Sequence, residues 1–247
     1  LPAGGWRVAA VVRQGAEMAY VGSSLMLMGS HHDGVYEHIS LVQTQGSSVT
    51  GLVLVTAKVK TNIETTDPEI CADRSDYAYR NTYGGDRVIT KCLTVNPLQQ
   101  EYRSNDQLID ATLKWLTANG LSLPPNMVGF QYSEAAKPRR YLSFGYYMNA
   151  STWGFPEAVT LNGISAWSKT AVSTNAKKSR FITNLIAFGQ NYAMALNSAA
   201  EGRASVTGAT LRPFVFDNIS VDGPIETGNN KAEQKIAEIR STCSSIG

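Results

Sequence analysis

All three histidines of this chain fall inside one eight-residue window, His31-His32-Asp33-Gly34-Val35-Tyr36-Glu37-His38. Imidazole and carboxylate are ligands that zinc and similar metals accept, and a turn running into a strand could converge them. His31, His32, Asp33 and His38 are therefore the candidate metal ligands, with a divalent transition metal as the cofactor they would hold. The competing expectation is a chain with no cofactor, in which a polar hairpin tip accounts for His31 and His32. Adjacent strand positions point to opposite faces, so Glu37 and His38 cannot both address one ion unless a bulge intervenes. The spacing also lacks the HExxH pattern that sets two histidines on one helical face.

A second window interleaves Tyr77, Tyr79 and Tyr83 with Arg74, Arg80 and Arg87. Aromatic rings mixed with guanidinium groups can stack sugars or bases, which makes Tyr77, Tyr79, Arg80 and Tyr83 the candidate binding residues. One face of a hairpin packed on a helix would show the same pattern. Just before it, Asp67, Glu69, Asp73 and Asp76 could act as acid and base or hold calcium. The glycine and Asp/Asn periodicity of a calcium loop is missing, so a solvated loop face is expected there. Lys177, Lys178 and Arg180 form a short basic run that is read as a solvated helix end. With so few clustered charges, no nucleic-acid partner is expected.

Cys71 and Cys92 flank the tyrosine-rich stretch, which carries the turn signal Gly84-Gly85. A chain doubling back there would bring the two sulfurs together, and closing such a loop would stabilise the fold by about 3 kcal/mol. Cys243 could be free, linked to another chain, or the true partner of one of the others. A 71–92 disulfide implies an oxidising compartment. The opening segment Leu1-Pro2-Ala3-Gly4-Gly5, without an initiator methionine, reads as a chain trimmed after an export signal.

Composition agrees with export. Charged residues make up 17% of the chain, below the usual share for soluble domains, and uncharged polar residues take their place. The hydrophobic share of 43% is enough for a sizeable core. A net charge of +2 is too small to recruit nucleic acid or an anionic membrane. No apolar run approaches the roughly 20 residues of a membrane-spanning helix.

The elements that must position these residues read as mostly strands in the first half. Apolar and alternating segments at 6–12, 18–28, 36–44 and 49–63 are separated by short Gly/Ser turns, the signature of an antiparallel meander. Further strands are expected at 87–95, 127–132, 141–148 and 211–216. A helix runs from a capping box at Ser104 and Gln107 to Gly120, with Ile109, Leu113 and Leu116 on one stripe. A longer one covers 166–200, in one piece or two, with Ser165 as its cap, Gly189 weakening its middle and a core stripe of Phe181, Leu185, Phe188 and Tyr192. A last helix is expected at 231–242. The fold class that follows is α+β: a mainly antiparallel sheet with two or three amphipathic helices packed on it. Residues 1–203 form the domain, and 204–247 a C-terminal extension packed on it.

There is no GxSxG elbow, phosphate loop, GxGxxG or CxxC in the chain. The function expected is therefore an exported, non-catalytic binding or envelope-associated protein, its partner a protein, a peptide or a glycan. The alternatives are a metal-assisted hydrolase built on His31, His32 and His38, and a secreted effector acting on a host partner.

Overall fold

The alternation of apolar and polar residues in the first half produces long strands. The computed structural model describes residues 5–17, 32–60, 71, 74–83, 89–98, 107–136, 140–156, 160–161, 164–200, 214–216 and 219–220. Seven strands form one antiparallel sheet: β1 (Trp6–Glu17), β2 (His32–Gln45), β3 (Ser48–Lys60), β4 (Tyr79–Tyr83), β5 (Ile89–Pro97), β6 (Met127–Ala136) and β7 (Arg140–Asn149). Their order across the sheet is β1-β2-β3-β7-β6-β5-β4. Two meanders thus meet at the β3–β7 pair. The first is the one expected from the short turns. The second begins at the far edge, so the β3–β4 connection must cross half the sheet. The expected strand at 18–28, the helix at 231–242 and Cys243 lie outside the described residues.

Between β2 and β3 the chain reverses through Gly46 and Ser47, with Gln45 paired to Ser48 and Gly46 at φ 60°. A two-residue hairpin loop requires that left-handed backbone, and glycine adopts it without a Cβ clash.

The sheet packs apolar side chains on both of its faces. On one, Val53, Val128, Phe130, Phe144 and Tyr146 pack against a long helix, α3 (Ala176–Ala200), through Phe181, Leu185 and Tyr192. On the other, Leu52, Met127 and Tyr147 pack against α1 (Gln107–Ala118). α1 lies over β1 and β2, whereas α3 lies over β5 and β6. Thr112 fastens α1 to the sheet, its hydroxyl 2.7 Å from that of Ser40. α1 ends as its glycine predicts: Leu121 N–H donates to Leu116 O at 2.9 Å and Gly120 N–H to Thr117 O at 3.1 Å. This is the Schellman pairing, with Leu116 and Leu121 in the same apolar cluster.

The helical pattern over 166–200 resolves into two helices, α2 (Lys169–Ser173) and α3. Ser168, not Ser165, caps the first: its hydroxyl accepts from Ala171 N–H at 3.2 Å. Ser165 instead belongs to the two-residue strand β9 (Ile164–Ser165), which pairs with β8 (Thr160–Leu161). At the start of α3, Lys177 and Arg180 are exposed as a solvated end would have them, and Lys178 is the correction to that expectation. Lys178 is buried, donates to Ala166 O at 3.2 Å and sits over the Trp167 ring. Lys177 lies over Phe155 and Arg180 over Phe216. These rings supply the attraction that holds the ammonium and guanidinium groups against an aromatic cluster.

Phe214 and Phe216 close that cluster. Both are buried, with ring centroids 5.4 and 5.2 Å from Phe181. Phe214 precedes, and Phe216 belongs to, the small hairpin of β10 (Val215–Phe216) and β11 (Ile219–Ser220).

Candidate functional site

Antiparallel pairing places side chains from several strands side by side. The register aligns His38 with Thr56, Thr56 with Ser143, Ser143 with Ser133, and Ser133 with Cys92. These residues form one polar row across β2, β3, β7, β6 and β5, on the same face as α1. A neighbouring row on that face contains Ser40, Leu54, Gly145, Gln131 and Thr94. Among the described residues α1 covers the β1–β2 end of this face, and Ser40, Thr94, Ser133 and Cys92 are buried in it.

Directed hydrogen bonds join the serine end of this row to the neighbouring polar residues of the face. Thr94 donates to Asn96 Oδ1 at 3.2 Å, and Asn96 Nδ2 donates to the Tyr147 hydroxyl at 3.4 Å. Tyr147 donates in turn to Gln131 Oε1 at 3.3 Å. Gln131 Nε2 donates to Ser143 Oγ at 3.0 Å and to Ser133 Oγ at 3.2 Å. The two serine oxygens are 3.3 Å apart, so one hydroxyl proton is used between them and the other remains to be donated elsewhere. His38 Nδ1 lies 3.0 Å from Thr56 Oγ1. His38, Thr56, Gln131 and Ser143 are half-buried, while Ser133 and Cys92 are buried.

Two rings lie beside His38 at this end of the face. Tyr36 stacks on His38, with centroids 6.1 Å apart and planes at 24°. Tyr141 meets Tyr36 edge-on at 5.7 Å and 81°. Both tyrosines are half-buried. Glu37, the neighbour of His38, points to the opposite face and is held by Arg13 at 2.6 Å, while the register sets Lys58 opposite Tyr36 and Arg80 opposite Thr94 on this one.

At the other end of the row, the Cys71 and Cys92 sulfurs are 2.09 Å apart, a disulfide. Because Cys92 belongs to the row, Cys71 and this point of the β3–β4 connection lie on the α1 side of the sheet.

Of the residues singled out in the sequence, His38 enters this site. His31 lies outside the described residues. His32 and Asp33 begin β2, with the His32 backbone opposite Glu17. Among the described residues no group of three or more His, Cys, Asp or Glu side chains could hold a metal ion. The tyrosine–arginine window is divided by strand alternation. Tyr79 and Tyr83 pack against the α3-side core, whereas Arg80 is exposed on the other face. Tyr77 precedes β4 and takes the Arg74 guanidinium over its ring at 5.8 Å. Burial pushes the Tyr83 hydroxyl above its ordinary pKa, the behaviour of a packing residue. Of the acidic cluster, Asp76 pairs with Arg74 at 3.3 Å, and Asp67, Glu69 and Asp73 lie outside the described residues.

Thr56, Gln131, Ser133 and Ser143 did not stand out in the sequence. Their one local signal is a polar residue at every second place of an otherwise apolar strand, as in Gln131 and Ser133. Only the register brings them into line. No family model, curated protein or solved structure matches the chain.

Proposed function

We propose that this is an exported, non-catalytic binding protein, free or envelope-associated, that holds an uncharged polar ligand on the α1-side face of its sheet. The observation that carries this reading is the row His38, Thr56, Ser143 and Ser133, in which Gln131, itself bonded by Tyr147, holds the two serines and His38 meets Thr56. Hydrogen-bonding groups fixed before the ligand arrives lose little freedom on binding, which is how a small polar site gains affinity. Export is supported by the Cys71–Cys92 bond, since disulfides persist in oxidising compartments. It is compatible with the absence, among the described residues, of any helix long and apolar enough to cross a membrane.

One observation favours a hydrolase instead: His38 and Thr56 are a base and a hydroxyl 3.0 Å apart. Glu37, the nearest carboxylate in sequence, cannot orient that imidazole because Arg13 holds it on the opposite face. The binding reading therefore uses more of the site's geometry than the catalytic one.

A thermal-shift screen against small neutral and charged solutes, peptides and oligosaccharides tests the reading. A ligand present at a hundred times its dissociation constant contributes about 2.7 kcal/mol. For a chain of this size that raises Tm by roughly 5–10 °C. The rise should vanish in the double variant Thr56→Val/Ser143→Ala while the variant's own melting stays cooperative. Turnover of an ester, amide or glycoside substrate that disappears in His38→Ala would overturn the non-catalytic assignment.

A further inference from the structure

We draw no further inference here: the strongest candidate, the apolar patch at the β1 edge of the α3-side face, where Val11 is 56% exposed beside the half-buried Val8, Ile39 and Val55, carries nothing because no feature of the described residues shows what covers it.

Discussion

Glu134 shows how individual side chains adjust to burial in this fold. Its carboxylate has no solvent exposure and is met by Lys91 at 3.8 Å and by the Tyr132 hydroxyl at 2.7 Å. Lys91 also donates to Asn197 on α3, so the pair links β5, β6 and the helix. Removing one member of a buried pair strands the other. Lys91→Met should therefore destabilise by about 3 kcal/mol, and the double change Lys91→Met/Glu134→Leu should recover much of that loss. Urea titration of the three proteins measures it. Two tyrosines carry a second expectation. Burial raises the hydroxyl pKa of Tyr146 and of Tyr192, and the Tyr192 hydroxyl has no hydrogen-bond partner among the described residues. The folded state thus holds these protons more tightly than the unfolded chain does. The stability this provides is complete below pH 10, the ordinary tyrosine value, and is lost as pH climbs from there toward the raised values. Each tyrosine should remove about 1.4 kcal/mol per pH unit in that window, and Tyr146→Phe should flatten the slope by one such step in alkaline urea titrations.

Among the elements, α3 contains a residue that its own sequence argues against. Gly189 sits mid-helix, where glycine costs about 1 kcal/mol relative to alanine. In the fold it is buried, and a Cβ there would come within 2.9 Å of Phe130 Cγ and 3.2 Å of Leu93 Cδ1. The bare Cα lets the helix approach β5 and β6. Gly189→Ala should therefore destabilise by roughly 1–2 kcal/mol despite alanine's better helix propensity, because the helix must move off the sheet. Chemical denaturation of the single variant decides between propensity and packing. The amphipathic stripe of α3 was legible because Phe181, Leu185 and Tyr192 recur at helical spacing. The reason for the glycine was not, because the atoms it makes room for belong to strands 59 and 96 residues away in the chain.

At the level of the whole molecule, the aromatic cluster under α3 joins chain segments that the sequence separates. Trp153, Phe155 and Trp167 precede the helix, Phe181 opens its core stripe, and Phe214 and Phe216 follow it. The centroids of Phe214 and Trp153 are 5.2 Å apart. Phe214→Ala should cost about 3–5 kcal/mol, the usual loss for a buried aromatic ring, and a Tm measurement on the full chain tests it. A change below 1 kcal/mol would mean that this stretch is an appendage and not part of the core.

Much about this protein follows from local chemistry alone. Period-two alternation makes 36–44 and 49–57 strands, the Gly46-Ser47 turn joins them antiparallel, and Gly120 ends α1. Each of these depends on neighbours within a few residues, whose sterics and hydrogen bonds are the same in any fold. The spacing of Cys71 and Cys92 likewise pointed to a closed loop. What only the tertiary structure decided is which residues from distant strands share a row and a face. The β3–β7 pairing joins the two meanders and sets Thr56 beside Ser143, 87 positions apart in the chain. Alternation then divides Tyr79 and Tyr83 from Arg80, and His38 from Glu37. A one-residue slip in any of these pairings would turn the polar row into the core and the core into the surface. The register that prevents it is held by apolar burial on both faces of the sheet, a property of the assembled layers and not of any one segment.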